Sequence, residues 1–406
     1  MKKLLFTIVT ACVGISVYAQ VEKRSWSGEL NAAGQKLPIV LNLVDGKCTL
    51  DSPAQGAKGI PADIDLLTKD SIKISIKSLD ASYVARSING DLEGTFTQRG
   101  FKFPLNLKPC SPDGPNRPQN PKPPFPYTTE DVTFQNIKAG ATLAGTLTIP
   151  TGGSKYVLIM VTGSGPENRD EEIFEHKPFA VIADRLARAG IATLRYDDRA
   201  TGKSDGGKNP DVTTKDFAED VLAGIEWLRA QKRFKKVGIL GHSEGGTIAF
   251  MLGAQKKVDF IVSLAGTAVK GDSVILEQNK ALGGPMAASL TMEQLYALPA
   301  IKKAIDENAW YRYFMEYNPQ VDIAKTACPV LALNGTKDLQ VIATQNLPAL
   351  RRTLPKNKHN VIKEYEGLNH LFQHCTTGLP TEYAQIEETI SEEVINDIIA
   401  WVKQLW

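Results

Sequence analysis

Short apolar segments alternate with helical patterns through the second part of the chain, and this rhythm restricts the possible folds strongly. Five segments are almost continuously apolar and a sixth is weaker: residues 156–162, 191–196, 237–241, 260–265, 330–334 and 361–365. Strands that are buried on both faces of a sheet have this character. Between them, apolar side chains recur at helical spacing, as at Val221, Ile225 and Leu228. This alternation predicts a mostly parallel sheet with helices on both faces.

Residues from about 271 to 318 interrupt that rhythm. The stretch has a helical pattern, is rich in Met, Tyr and Leu, and stands between two predicted strands. We expect it to form a helical cap over the carboxyl edge of the sheet.

A proline-rich segment divides the chain. Residues 109–126 contain eight prolines. Each proline removes a backbone N–H and fixes φ, so we expect an extended spacer here rather than helix or sheet. We therefore predict one domain at residues 20–108, a linker at 109–126 and a second domain at 127–406.

The first domain has the pattern of short antiparallel strands. Turn sequences stand between its strand-like runs at Asp45-Gly46, Asn89-Gly90 and Arg99-Gly100. About seven or eight strands of this kind indicate a small all-β barrel or sandwich. The domain contains no histidine and no recognisable pairing of a nucleophile with a base. We expect it to serve packing, binding or shielding rather than catalysis.

The amino terminus has the order of an export signal. Lys2 and Lys3 precede an apolar run over residues 4–17, and Val17-Tyr18-Ala19 fits a cleavage site. We predict a signal peptide at 1–19 and a periplasmic or secreted protein without an integral membrane span after cleavage. A membrane anchor is an alternative, although the run is shorter than a spanning helix requires. Lipoprotein processing at Cys12 is another.

Composition excludes several classes of partner. The chain of 406 residues carries 47 Lys and Arg against 45 Asp and Glu, for a net charge of +2. Proteins that bind nucleic acid or anionic membranes show a basic patch instead, so neither partner is expected.

Four cysteines remain after signal removal, without Cys-x-x-Cys spacing. We expect free thiols and predict neither a metal nor a cofactor. The oligomeric state stays open.

The motif Gly241-His242-Ser243-Glu244-Gly245 carries the chemistry. It follows a predicted strand and precedes a predicted helix. In this context the G-x-S-x-G pattern holds its serine on a sharp, strained turn, at the amino end of a helix whose dipole favours negative charge. Glycines two residues to either side leave room for the neighbouring backbone. We predict that Ser243 is a nucleophile rather than part of a glycine-rich turn.

A serine nucleophile needs a base, and the chain has five histidines. His370 follows the last predicted strand, so its loop can reach the edge where the serine turn ends. We choose His370 and keep His374 as an alternative. His242 adjoins the serine, but neighbouring side chains on such a turn point in different directions. His370 and His374 also have the spacing of two metal ligands, without a third.

The base in turn needs a carboxylate that fixes its tautomer. Asp338 lies on the loop after the predicted strand at 330–334. Taken alone, Asp338 would be interpreted as a turn residue or a helix N-cap. The chain order Ser243, Asp338, His370, with each residue after a strand, favours a catalytic role.

An oxyanion hole needs two N–H donors. We predict the N–H of Glu244, after the nucleophile, and the N–H of Ser164 in the glycine-containing loop after the strand at 156–162, with Gly163 as the second choice.

Two nucleotide-binding motifs are incomplete in this sequence. The sequence Gly202-Lys203-Ser204 lacks the earlier glycine of a phosphate-binding loop, and residues 163–168 lack the third glycine of a dinucleotide site.

Together these motifs resemble the α/β-hydrolase superfamily, and more closely exported bacterial carboxylesterases related to serine aminopeptidase-like hydrolases. The resemblance rests on residues 161–171, 195–204, 241–246, 334–338 and 369–370. It implies an α/β-hydrolase fold with Ser243, Asp338 and His370 as the triad, and Ser164 and Glu244 as oxyanion donors. Residues 26–28, 52–56 and 94–98 bring to mind, more loosely, members with an added N-terminal β-domain. One departure is Ala200, where glycine commonly follows the arginine.

These observations predict a serine hydrolase that cleaves carboxylic esters, with short to medium acyl chains, through an acyl-enzyme. An exopeptidase is an alternative that the resemblance to aminopeptidase-like hydrolases allows, and Glu277, Glu293 and Asp306 in the cap are available to anchor a free amino terminus. A glycan or cell-surface binding protein that uses the β-domain is a third interpretation. The expected partner is a small-molecule ester.

Overall fold

The computed structural model describes residues 23–32, 35–52, 57–110, 116–209, 211–285 and 287–405. The chain divides into two compact units, Met1–Asn116 and Arg117–Trp406, which are described separately. The predicted signal peptide and Cys12 lie outside the described residues. Among the described helices, none combines the length and the apolar character that crossing a bilayer requires.

The first unit is a closed antiparallel barrel of eight strands, each paired with the next and β1 paired with β8. This confirms the barrel over the sandwich. The strands are β1 (Lys23–Ala32), β2 (Gln35–Val44), β3 (Lys47–Ser52), β4 (Ala57–Leu67), β5 (Ser71–Ile76), β6 (Ala81–Ile88), β7 (Asp91–Gln98) and β8 (Phe101–Cys110).

Tight turns fix the register of this barrel. At Asp45-Gly46, Asn89-Gly90 and Arg99-Gly100 both residues have positive φ, between 49° and 94°. Two-residue hairpins need this backbone because its twist matches that of the flanking strands. Alternate side chains then point inward, where Leu41, Ile74 and Tyr83 are fully buried. The Tyr83 hydroxyl donates to the carbonyl oxygen of Leu105 at 3.0 Å.

The second unit is built on a sheet of eight strands in the order β16-β15-β14-β13-β11-β12-β10-β9. The six strands from β16 to β12 are parallel, whereas β10 is antiparallel to both β12 and β9. The strands are β9 (Tyr127–Asn136), β10 (Ala141–Pro150), β11 (Tyr156–Val161), β12 (Ala192–Tyr196), β13 (Lys236–His242), β14 (Phe260–Leu264), β15 (Val330–Gly335) and β16 (Val361–Tyr365).

Helices cover both faces of this sheet, as predicted. Side chains of α2 (Thr214–Ala230), α3 (Glu244–Ala254) and α9 (Ala343–Thr353) pack in one apolar core. Those of α1 (Pro178–Arg188) and α10 (Glu392–Gln404) pack in the core on the opposite face. This three-layer arrangement, with the cap described next, is the α/β-hydrolase fold expected from the sequence.

Between β14 and β15 the chain forms a group of short helices, which matches the predicted helical cap. They are α4 (Gly271–Leu282), α5 (Met292–Ala297), α6 (Pro299–Glu307), α7 (Ala309–Glu316) and α8 (Gln320–Ile323). Two small apolar cores hold α4 to α7, one around Val274, Phe314 and Val341 and the other around Leu295 and Met315. Ile323 of α8 packs in the core shared with α2, α3 and α9.

The proline-rich segment is ordered at both ends, because its first residues belong to β8 and its later residues belong to the second unit. β8 runs to Cys110, within the predicted linker. The boundary between the compact units follows Asn116. The buried Arg117 guanidinium donates to the carbonyl oxygens of Phe174, Ala384 and Ile386 at 2.7–3.1 Å. Residues from Arg117 onward therefore belong to the second unit.

Candidate active site

The carboxyl ends of four parallel strands bring the predicted site residues to one edge of the sheet. The loop after β11 carries residues 162–171, the turn after β13 carries Ser243, and the loops after β15 and β16 carry Asp338 and His370. Because parallel strands all end on the same side, ligands of open α/β sheets bind at this edge.

Ser243 occupies the sharp turn between β13 and α3. Its backbone angles are φ 52° and ψ −115°, a conformation that is strained for a residue with a Cβ. The flanking glycines are required by close approach. A Cβ on Gly241 would lie 2.1 Å from the carbonyl oxygen of Gly245, and one on Gly245 would lie 2.1 Å from that of Val161. The predicted strand-to-helix turn is therefore present.

His370 and Asp338 form a buried pair. His370 Nδ1 lies 2.8 Å from Asp338 Oδ2. The other carboxylate oxygen of Asp338 accepts the backbone N–H groups of Gln340 and Val341 at 2.8 and 2.9 Å. An ionised carboxylate only accepts, so this bond needs the hydrogen on Nδ1, and a neutral ring with that tautomer presents the Nε2 lone pair. Within the described part of the chain no hydrogen bond joins Ser243 Oγ to His370 Nε2, and such catalytic bonds often tighten only in the substrate complex.

The other histidines lie elsewhere. His374 is 66 % exposed at its side chain and pairs with Glu388 on the surface. The ring of His176 is buried between the Thr389 hydroxyl and the carbonyl oxygen of Tyr383. Burial lowers the pKa of His176 to about 4, so its ring is neutral. His359 is half-buried in the loop before β16. Among the described residues, two histidines have a buried carboxylate partner: His370, paired with Asp338, and His242, described below.

The two predicted oxyanion donors occupy different environments. Glu244 is the first residue of α3, where backbone N–H groups are directed outward from the helix end. Ser164 is exposed in the loop after β11. The N–H of Gly163, the second choice, is engaged, since it donates to Glu171 Oε1 at 2.9 Å. This leaves the N–H of Ser164 as the donor predicted from this loop.

Two carboxyl groups with raised pKa values lie in the loops after β11 and β12. Burial raises the pKa of Glu167 to about 9, and the negative charge of Glu171 adds to the effect. Burial also raises the pKa of Asp198 to about 7, opposed by hydrogen bonds from the Glu167 N–H and the Thr162 hydroxyl. Glu167 therefore holds a proton at neutral pH.

His242 is a part of the site that the sequence-based reasoning did not use. Its Nδ1 lies 2.9 Å from Glu171 Oε1, and its Nε2 lies 2.9 Å from the carbonyl oxygen of His370. Burial alone would lower the pKa of His242. The Glu171 carboxylate and the His370 carbonyl outweigh burial and raise it to about 9. The rings of His242 and His370 are 4.7 Å apart at their centroids.

The cap reaches the site through Trp310 on α7. Its Nε1 donates to Glu244 Oε1 at 2.7 Å. Glu244 is buried, and its burial raises the pKa of the carboxyl group. The indole of Trp310 stacks on Phe314, with ring centroids 5.4 Å apart. The residue after Ser243 thus ties the turn to the cap, a contact that has no local signal in the sequence.

Ion pairs brace the loops around the site. Arg169 binds Asp197 through Nε and Nη2, at 3.0 and 2.7 Å, and Arg195 pairs with Asp170. The rejected phosphate-loop sequence has a structural role, because the Ser204 hydroxyl donates to the carbonyl oxygen of Asp197 at 2.6 Å. Over the residues that the structure covers, no group of three His, Cys, Asp or Glu side chains is placed to hold a metal ion.

Comparison with known proteins agrees with this architecture. Residues 175–327 match the family described as serine aminopeptidase, S33. Esterase EstD of Thermotoga maritima is 29 % identical over 293 residues, covering 69 % of this chain and 68 % of that protein. The monoacylglycerol lipase of Mycolicibacterium smegmatis is 25 % identical over 246 residues, covering 54 % of this chain and 81 % of the lipase.

Solved structures are similar as well. The Pyrococcus furiosus esterase Pf2001 has 18 % identity and a TM-score of 0.47, over 72 % of this chain and 98 % of its own. Est1E of Butyrivibrio proteoclasticus with bound ferulic acid has 17 % identity and a TM-score of 0.47, over 67 % of this chain and 98 % of its own. The strand order and the turn at Ser243 are those of an α/β-hydrolase fold, and the sequence matches support an esterase-type hydrolase.

Proposed function

We propose that this protein is a serine hydrolase that cleaves carboxylic esters of short to medium acyl chains through an acyl-enzyme. The observation that carries the proposal is the buried His370–Asp338 pair, at 2.8 Å, on the same sheet edge as the strained turn of Ser243. Two similar proteins, an esterase and a monoacylglycerol lipase, support an ester substrate.

In the proposed reaction Ser243 Oγ attacks the ester carbonyl while His370 Nε2 takes its proton. Asp338 holds Nδ1–H and stabilises the imidazolium that forms. The negative charge on the carbonyl oxygen is stabilised by the N–H groups of Ser164 and Glu244 and by the amino end of α3. His370 then gives the proton to the departing alkoxide. In the second half of the reaction, His370 Nε2 takes a proton from water as the water oxygen attacks the acyl-Ser243 carbonyl. His370 then returns a proton to Ser243 Oγ, and the carboxylic acid is released.

A series of p-nitrophenyl esters from acetate to long acyl chains tests the proposal. We expect turnover of the short and medium esters, and loss of turnover by several orders of magnitude in Ser243→Ala. The exposed Ser78 of the barrel offers a matched control, and Ser78→Ala should keep full activity. Undiminished turnover in a folded Ser243→Ala protein would refute the nucleophile.

An exopeptidase is the second candidate, because the matching family is described as serine aminopeptidase. Of the cap carboxylates considered for binding a free amino terminus, Glu277 already pairs with Lys280 at 2.8 Å. Glu293 and Asp306 are exposed. Aminoacyl p-nitroanilides assayed beside the esters separate the two functions. Cleavage of the anilides without cleavage of esters would move the assignment to peptidase.

We also propose that the protein is exported, on the basis of Lys2, Lys3, the apolar run and Ala19. The mature protein recovered from an expressing bacterium should then begin at Gln20. A retained amino terminus, or a lipid on Cys12, would contradict cleavage after Ala19.

A further inference from the structure

A second histidine–carboxylate pair lies beside the predicted catalytic one. Glu171 and His242 are 5 % and 6 % exposed, so neither is a solvated surface group. Neither side chain has a role in the proton transfers proposed above. A buried ionisable pair is costly unless its hydrogen bonds are satisfied, so its contacts indicate what it is for.

The pair joins three loops of the site. Glu171 Oε1 accepts the N–H of Gly163, next to the predicted oxyanion donor Ser164, at 2.9 Å. The same oxygen lies 2.9 Å from Nδ1 of His242, the residue before Ser243. The opposite nitrogen of His242 lies 2.9 Å from the carbonyl oxygen of His370. One chain of hydrogen bonds thus runs from the oxyanion loop, past the nucleophile turn, to the backbone of the predicted base.

The partners of His242 determine its protonation. Both partners of the ring, the Glu171 carboxylate and the His370 carbonyl oxygen, are acceptors. The two ring nitrogens can donate to them at the same time only when the ring is an imidazolium. The titratable groups that face the ring are Glu171 and Glu167 on the loop after β11 and the imidazole of His370, whose centroid is 4.7 Å away. The His370 backbone also contacts the ring, from the loop after β16. The raised pKa of His242, about 9, agrees with a charged ring at neutral pH.

Strained backbone occurs in two of the loops that this pair joins. Glu171 has φ 52°, in the left-handed region that is unfavourable for a residue with a side chain, and Phe372 of the His370 loop has φ 60°. Such strain persists where the surrounding contacts determine the conformation, and it clusters at functional sites. The bond from Gly163 to the Glu171 side chain is one such contact in the oxyanion loop.

On the basis of the proposed function, we propose that Glu171 and His242 are positioning residues for ester hydrolysis. Acting as one unit, they hold the Ser164 N–H and the His370 imidazole in register with Ser243. They form no bond with the substrate. Their contribution lies in the geometry of the transition state, where a displacement of about 1 Å can cost about 10²-fold in rate.

The test is a double-mutant cycle on the full-length protein with a short p-nitrophenyl ester. Glu171→Gln and His242→Gln are neutral replacements of similar size. Each should lower kcat by about 10²-fold and change KM little, because substrate binding is spared. If the two residues act as a unit, the double variant should lose about as much as either single variant.

The surface pair His374–Glu388 provides the matched control. It has the same chemistry, with Nδ1 2.9 Å from a carboxylate oxygen, but the histidine is exposed. Glu388→Gln should keep the kcat of the parent protein. Glu171→Asp, which retains the charge, should recover part of the rate lost in Glu171→Gln.

A pH profile adds a readout that packing alone would not change. Above a pH of about 9 the His242 ring loses a proton and can no longer donate at both ends. We expect kcat to fall on this alkaline side in the parent protein and in Glu167→Gln. The fall should be missing in His242→Gln, whose rate is low at every pH.

The outcomes separate this proposal from the proposed function. If the parent protein shows no esterase activity and no reaction of Ser243 with a fluorophosphonate, the proposed function fails. If the parent is active, the positioning role is overturned by parent-like kcat in folded variants or by strictly additive losses. It is also overturned if His242→Gln is fully active while both Glu171 variants fail to fold, because Glu171 would then serve folding alone.

Discussion

Strained backbone and buried charge are distributed differently in the barrel and in the second unit, Arg117–Trp406, which is called the catalytic unit below. In the barrel, positive φ angles occur at exposed hairpin turns such as Asp45-Gly46, and the interior is apolar. In the catalytic unit they also occur at Glu171, Ser243 and Phe372, beside the site. Buried carboxylates and histidines gather there too. The comparison shows that strain in the barrel serves chain reversal, whereas in the other unit it also occurs beside the proposed catalytic residues.

The largest expected effect is on catalysis, and it is confined to the catalytic unit. Asp338→Asn keeps the shape of the side chain but no longer fixes the tautomer of His370. We expect kcat for a short ester to fall about 10³–10⁴-fold. The control in the barrel is Asp51→Asn, at a carboxylate that accepts from Asn42 and Gly59. Equal losses in both variants would remove the distinction between the units.

The next effect is on stability, and it belongs to the barrel. Ile74 is fully buried there, and Ile74→Ala should cost about 2–5 kcal/mol in the free energy of unfolding. Ile88 is 46 % exposed, and Ile88→Ala should change stability by less than about 0.5 kcal/mol. Urea unfolding followed by circular dichroism measures both. Neither change should alter kcat, and a loss of kcat in folded Ile74→Ala would show that the barrel takes part in catalysis.

A smaller effect concerns pH. The pKa values of His242 and Glu167 are both raised to about 9. Their ordinary values are about 6.5 and 4.5, so between pH 7 and 9 the folded state binds protons that the unfolded state has released. Stability therefore falls as pH rises through this window, on the order of 2–4 kcal/mol for the two groups together.

Thermal inactivation of esterase activity, measured at several pH values, checks this prediction. The transition temperature should fall between pH 7 and 9, and Glu167→Gln should flatten the dependence. A transition temperature that rises over this window would show that the buried groups of the catalytic unit are not protonated as described.

The smallest expected effect is at Ala200, where the sequence departs from the glycine common in similar hydrolases. Its φ of 59° lies in the left-handed region, so the alanine is strained. Ala200→Gly should raise the free energy of unfolding by about 0.5–1 kcal/mol, after allowance for the more flexible unfolded chain. Activity should stay unchanged. A loss of stability would mean that the loop gains more from the alanine side chain than its backbone strain costs.

Local patterns were enough to predict much of the fold. The apolar runs correspond to strands because buried parallel strands exclude polar side chains, and the glycine turns of the barrel follow from positive φ. The strand-to-helix turn at Ser243 was also predictable, since its glycines are required by contacts within a few residues. Assignment of Ser243, Asp338 and His370 as a triad stays a prediction, although the structure places His370 against Asp338.

Other features depend on contacts between distant residues and left no local signal. Glu171 and His242 are 71 residues apart, and His242 also binds a backbone carbonyl that any residue would supply. Trp310 and Glu244 are 66 residues apart. Arg117 lies in a segment whose prolines indicate a spacer, yet carbonyl groups of the second unit bury it. Only the folded chain brings these partners together.

The central claim is that Ser243 is a nucleophile activated by the His370–Asp338 pair. The most direct measurement is peptide mapping after reaction with a fluorophosphonate probe. The account predicts one label for each chain, on the peptide that contains Ser243, and strongly slowed labelling in His370→Ala. A label on another residue, or equal labelling rates in the parent protein and His370→Ala, would contradict it.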